Sequence, residues 1–154
     1  MFRTPHTLFR ALAFAEAVSW TLLIAGLVLR ATLGWSLAVT IGGGIHGFVF
    51  LAYGATAVLV ALNNRWRPGP TVLALVSAIV PYATIPAEIW LQRRGLLHGA
   101  WRTSDAAEED DDRRWYDAIL RWFLLRPWVL VLLIALAVTA LFVVLLLAGP
   151  PGGR

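Results

Sequence analysis

Cysteine is absent from the 154-residue chain, and so is lysine. The first absence excludes disulfides, thiolate metal sites and cysteine nucleophiles, and it leaves the redox compartment unmarked. The second makes all thirteen basic residues arginine, a usage from which no mechanism follows. Charge itself is scarce. Charged residues make up 14% of the chain, hydrophobic residues 59%, and the mean hydropathy is +0.72. Soluble domains average about 45–50% apolar and about 25% charged. The composition therefore points to a membrane protein, with no room for a second sizeable domain. The net charge of +4 fits headgroup contact and topology signals rather than nucleic acid, since no basic patch accompanies a soluble recognition fold. Catalytic signatures are missing too: no Ser-His-Asp spacing, no H-E-x-x-H and no P-loop. The acidic run "EEDDD" lacks the glycine and terminal acid of a calcium loop and reads as a solvated linker. No enzyme is expected.

What is present is four long apolar runs, at about 8–29, 39–62, 71–92 and 128–148. A bilayer core of about 30 Å needs roughly 20 helical residues, and each run is long enough. In lipid every backbone polar group must be satisfied within the segment, so each run is expected to be helical. The first run carries Glu16 and no convincing cleavage site, so it is expected to be retained rather than removed as a signal peptide. Short turns, "RATLGWS" and "NNRWRPGP", link the first three runs into an expected three-helix transmembrane bundle covering residues 1–94. The expected fold class is therefore an all-α membrane protein: that bundle, an interfacial amphipathic helix, and a fourth transmembrane helix.

Residues 95–127 form an acidic linker followed by an aromatic-basic stretch. Three acid–arginine pairs stand four residues apart with the acid first, the favourable order in a helix. Trp115 and Trp122, with Arg121 and Arg126, suit the headgroup level of such an interfacial helix. Residues 149–154 read as a flexible tail. With four crossings, the positive-inside rule favours the linker side as cytoplasmic by eight arginines to five.

The stretch "IGGGIHGFVF" sets His46 among glycines. Gly42, Gly44 and Gly47 spell G-x-G-x-x-G. However, no βαβ pattern surrounds them and no acid follows about 20 residues on, so a dinucleotide site is rejected. In a membrane helix, Gly43, Gly47 and Gly54 share one face, a small-residue surface for close helix packing. An ionisable side chain within a span should face protein and find a partner. The candidates for His46 are Glu16, Glu88 and the hydroxyls of Ser19, Tyr82 and Thr84. Depth along the helices favours Glu88, with Glu16 roughly 8 Å from His46 along the normal. His6 and His98 belong to the flanks. One histidine and two separated carboxylates do not make a metal or haem site, and no cofactor is expected. Pro81 and Pro86 are expected to kink the third run.

The segments "AFAEAVSW", "HGFVFLAY", the Arg-Trp of "NRWRPG" and "SAIVPYATIPAEIW" resemble a family of small bacterial integral membrane proteins, common in high-GC Gram-positive bacteria, with a three-span domain of unknown function. Glu16, His46, Gly47, Ser77, Pro81, Tyr82, Ala83, Thr84 and Glu88 fall on its pattern or close to it. Ile89 departs from it, standing where the family has a base. The resemblance implies an integral membrane protein and no reaction.

Two functions follow. One is an accessory or scaffold component of the bacterial plasma membrane, multi-pass, with lipid, other membrane subunits or further copies of itself as partners. The other is a small oligomeric transporter or proton-coupled carrier using Glu16, His46 and Glu88. Both share one expected outcome: after cell lysis the protein sediments with membranes through high-salt and alkaline washes and is released only by detergent. Recovery in the aqueous fraction would exclude both.

Overall fold

The computed structural model describes residues 4–101, 122 and 125–148, and these contain helices and turns with no strand. The helices are α1 (Pro5–Leu33), α2 (Ser36–Asn63), α3 (Pro68–Ser77), α4 (Thr84–Arg93) and α5 (Pro127–Ala148).

The start of α1 is fixed by its own threonines. Thr4 Oγ1 accepts the Thr7 N–H at 3.2 Å, and Thr7 Oγ1 accepts the Thr4 N–H at 3.3 Å, so two of the amides that no helical turn can satisfy are paired. Pro5 at the first helical position has no N–H to lose. The helix ends at Gly34, whose φ of +71° glycine adopts without steric penalty. Only Gly34 and Trp35 separate α1 from α2, which forces the two helices into an antiparallel pair. Both are long and apolar enough to cross a membrane.

The pair touches backbone to backbone at Gly26 and Gly42. A Cβ on Gly26 would stand 2.7 Å from the Ala38 carbonyl oxygen, and one on Gly42 would stand 2.7 Å from that of Leu22. The small-residue face expected from the sequence lies elsewhere. A Cβ on Gly43 or Gly54 would meet only a leucine methyl at ordinary distance, 3.8 and 3.9 Å, and one on Gly47 meets nothing within 4 Å. The reason is register. The face of α2 turned to α1 carries Gly42, Tyr53, Ala57 and Val60, and the stripe of Gly43, Gly47 and Gly54 is rotated from it by about 100°, one residue's turn.

The third apolar run, expected as one kinked span over 71–92, is instead two ten-residue helices. At about 1.5 Å per residue each is about 15 Å long, half a bilayer core. Pro81 lacks an N–H and its ring collides with the carbonyl four residues back. That residue is Ser77, where α3 ends. Tyr82 takes φ of +64° and reverses the chain. Pro86 falls in the first turn of α4, where a missing N–H costs little, so it kinks nothing.

The chain then returns along α1. The Trp20 indole donates to the Ala78 carbonyl at 3.3 Å, Tyr82 and Thr21 hydroxyls meet at 3.3 Å, Thr84 Oγ1 donates to the Ala13 carbonyl at 2.9 Å, and Glu88 meets His6 at 3.1 Å. These partners descend α1 from its middle to its first turn. Residues 95–101 close the return. Asn64 and Trp66 side chains donate to the Leu96 carbonyl, both at 2.7 Å, and Asn63 donates to that of Ala100 at 3.2 Å. So α3 and α4 form a helical hairpin that ends beside the α2–α3 turn where it began. Residues 95–101, read from the sequence as linker, belong to the bundle, and Leu97 is fully buried. Phe9, Tyr53, Val60, Ala74, Leu91 and Leu97 make the apolar core, with the Phe9 and Tyr53 rings 5.4 Å apart. Helix α5 lies against α2. The tail, most of the acidic linker, Trp115 and Arg121 lie outside the described residues. Trp122 and Arg126 are exposed, with the Arg126 guanidinium 5.2 Å from the Trp122 ring centroid, close enough for a cation–π contact.

The surface is apolar. Phe14, Val18, Leu27, Val58 and Ile79 are exposed, while Glu16, Ser19, Thr56, Asn63, Ser77, Thr84 and Glu88 are buried. Water-soluble proteins show the opposite preference for charged and hydroxyl side chains.

The glycine register can be tested by detergent-micelle unfolding. Gly42→Ala should cost about 1–3 kcal/mol, because the opposing carbonyl must be pushed away. Gly47→Ala, into open space within a helix, should be neutral or gain up to about 1 kcal/mol from helix propensity. Equal effects at the two positions would refute this register.

Candidate functional site

Two polar groups lie between the helices, and they differ from the single Glu16–His46–Glu88 cluster expected from depth arithmetic. The first joins α1 to α2. Glu16 is 0% exposed. One turn on, Ser19 Oγ lies 2.8 Å from the Glu16 carbonyl oxygen, 3.1 Å from Glu16 Oε2 and 2.9 Å from His46 Nδ1. Among the described residues Glu16 Oε1 has no hydrogen-bond partner, and it stands 3.7 Å from His46 Nδ1. The spacing is local in origin: residues three apart on a helix share a face, so Glu16 and Ser19 present adjacent oxygens to α2. Aromatic rings close the group. The Trp20 ring centroid is 4.4 Å from that of His46, and Phe50 is 6.1 Å from it.

The second group joins α1 to α4. His6 Nε2 and Glu88 Oε1 are 3.1 Å apart, the carboxylate nearly buried and the imidazole a quarter exposed. Glu88 therefore pairs with His6, not with His46. The depth argument assumed that the third run crosses alongside α2. It turns back instead, and this carries Glu88 to the first turn of α1. Glu16, Ser19 and His46 are brought together. Thr84 and Tyr82 are not part of that group; they fasten the hairpin to α1 at Ala13 and Thr21.

Trp20, His6, Tyr53 and Ser77 were not singled out as site residues by the sequence. Tyr53 and Ser77 hydroxyls meet at 3.1 Å, and Ser77 donates to the Ala74 carbonyl at 2.7 Å, fixing the end of α3 to α2. One signal was available for His46: a two-residue turn makes α1 its obligatory antiparallel neighbour. No group of three His, Asp or Glu side chains among the described residues could hold a metal ion. An open apolar cleft of about 540 Å³ lies near the α1–α2 turn, lined by residues such as Leu22, Gly26, Leu29, Trp35 and Ile41, with no ionisable side chain.

A family profile described as a domain of unknown function, DUF3817, matches residues 6–93. The chain belongs to this family. Its matched region begins at His6 and ends with α4, so it contains both polar groups and the hairpin. A candidate membrane protein of Streptomyces coelicolor, SCO5905, is 41% identical over 91 residues, 58% of this chain and 11% of that protein. An uncharacterised membrane protein of Bacillus subtilis, YdzA, is 29% identical over 97 residues, 62% of this chain and 96% of that protein. The chain thus spans about a tenth of the first relative and nearly all of the second. No solved structure matches it. The inverted surface and these relatives together make the chain a membrane protein of a family without an assigned activity.

The fastening of the hairpin is measurable. Thr84→Val keeps the shape but removes the interhelical donor to the Ala13 carbonyl. It should lower stability in micelles by roughly 0.6–1.7 kcal/mol, the range for interhelical hydrogen bonds in membranes. Thr21→Val, at the exposed contact with Tyr82, should cost less. A neutral Thr84→Val would show that the hairpin is held by packing alone.

Proposed function

We propose that the protein is a multi-pass component of the bacterial plasma membrane that assembles with another membrane polypeptide. In this reading α1, α2 and α5 cross, and α3–α4 is re-entrant. One observation carries the assembly reading. The turn between α3 and α4 lies level with the middle of α1, yet Ile79 and Tyr82 are 64% and 45% exposed. Among the described residues, neither the Val80 nor the Tyr82 amide donates a backbone hydrogen bond. Non-helical backbone at membrane depth persists only where protein covers it or water reaches it. Val76, Ile79 and Val80 around this turn are exposed and apolar, so a covering protein is the better account. The ionisable side chains that would serve a carrier are engaged between helices, Glu16 and His46 through Ser19 and Glu88 with His6, which favours a packing role over transport.

The re-entrant path also changes the charge count. It puts the N-terminus, the α2–α3 turn and the α4–α5 connection on one side. Among the described residues, Arg10, Arg65, Arg67, Arg93, Arg94 and Arg126 then share that side, leaving Arg30 on the other. The positive-inside rule makes the first side cytoplasmic, with an asymmetry that four crossings could not give.

Because the chain contains no cysteine, single cysteines report topology directly. Arg67→Cys and His98→Cys should both be labelled by impermeant maleimide only from the cytoplasm, and Thr32→Cys only from outside. Labelling of Arg67→Cys and His98→Cys from opposite faces would overturn the re-entrant path. A photo-crosslinker at Val80 should capture a reproducible membrane polypeptide, either a second copy or another subunit. A lone protein at every mild-detergent condition, with crosslinks to lipid alone, would overturn the assembly reading.

A further inference from the structure

Ser19 has one hydroxyl proton and three acceptors within reach: the Glu16 carbonyl oxygen, Glu16 Oε2 and His46 Nδ1. That proton can point at only one of them. The contacts to both Glu16 Oε2 and His46 Nδ1 are hydrogen bonds together only if one of those two atoms brings a proton of its own. Either a protonated Glu16 donates to Ser19 Oγ while Ser19 donates to Nδ1, or Nδ1–H donates to Ser19 Oγ while Ser19 donates to Glu16. The two arrangements share the same heavy-atom positions.

We propose that Glu16, Ser19 and His46 form a buried one-proton exchange site between α1 and α2. The ligand is a proton. In the exchange the Glu16 Oε2–H bond breaks as a new Ser19 O–H bond forms, and the original Ser19 O–H bond breaks as Nδ1–H forms. The pair passes from neutral carboxyl and neutral imidazole to carboxylate and imidazolium, and no further reactant is needed. A second observation points the same way. Glu16 Oε1 is buried without a partner among the described residues, 3.7 Å from Nδ1, so the carboxylate product keeps an acceptor turned toward the imidazolium. The Trp20 ring against His46 supplies an aromatic face, which attracts a cation.

Among the described residues, the ionisable groups of the neighbouring elements have other partners, the Tyr82 hydroxyl on the hairpin turn meeting Thr21. On α2, the Tyr53 hydroxyl is taken by Ser77. On α4, Glu88 is taken by His6. Neither α3 nor α5 contains an ionisable residue. Trp20 ties the site to the hairpin turn, since its indole donates to the Ala78 carbonyl. The proposal is independent of the assembly reading, because every atom it uses lies within one chain.

The test uses the full chain in lipid nanodiscs, with ¹⁵N-labelled histidine followed by NMR and the carboxyl stretch followed by infrared spectroscopy. The protonated-carboxyl band is assigned by its loss in Glu16→Gln, and the His6 and His98 signals report folding. The His46 nitrogen signal and the Glu16 band should change together at one pH midpoint. In Ser19→Ala they should separate into two midpoints at least one pH unit apart, and Ser19→Thr, which keeps the hydroxyl, should restore the single midpoint. Independent midpoints in the unmodified protein, no titration of either group, or coupling that survives Ser19→Ala would each overturn the proposal.

Discussion

An apolar solvent governs this structure. When lipid surrounds helices there is no hydrophobic gain from pressing them together, so cohesion has to come from close backbone approach and from polar contacts. Both are found on the faces α1 turns inward. Gly26 and Gly42 let two backbones meet at distances where a methyl group would collide. Below that crossing, Ser19, Glu16 and Thr84 supply hydrogen bonds, and Phe9 and Tyr53 fill the space at the open end. Polar side chains are inside and leucines outside because the cost of an unpaired polar group in hydrocarbon exceeds that of an exposed apolar one.

The same constraint explains the hairpin. A proline-interrupted segment cannot satisfy its own backbone, so in apolar surroundings it must borrow donors. Trp20 provides one to Ala78, and Thr84 anchors the descending helix on Ala13. Helix α1 is thus the common wall for two different neighbours, α2 on one side and the α3–α4 hairpin on the other. It carries one carboxylate–imidazole group toward each: Glu16 facing His46, and His6 facing Glu88. A family match that runs over residues 6–93 coincides with this wall and its two neighbours, and leaves α5 outside.

How far the chain could be read in advance depended on the range of each signal. Helix content and the apolar runs were legible because they rest on composition and local periodicity. Glu16, Ser19 and His46 were legible as individuals because an ionisable or hydroxyl group in an apolar run stands out. Their grouping was not, since it turns on which helix lies opposite. Gly43, Gly47 and Gly54 were spaced correctly for a packing face, but spacing fixes only that residues share a face and not where that face points. Gly42, one residue away, holds the contact. Glu88 was misassigned for a related reason: twenty-two apolar residues are long enough to cross, and length alone does not register that Pro81 divides them.

What the sequence by itself determined is the solvent. Its scarce charge and long apolar runs leave no aqueous fold in which so much hydrocarbon could be buried, and its relatives are named membrane proteins in keeping with that. What only the tertiary structure decided is the path of the third run and therefore the pairing of the ionisable groups. A proline states that a helix must bend or stop. Whether the chain then goes on or turns back depends on donors waiting on another helix, 58 residues away for Trp20 and Ala78, and no local pattern encodes that distance.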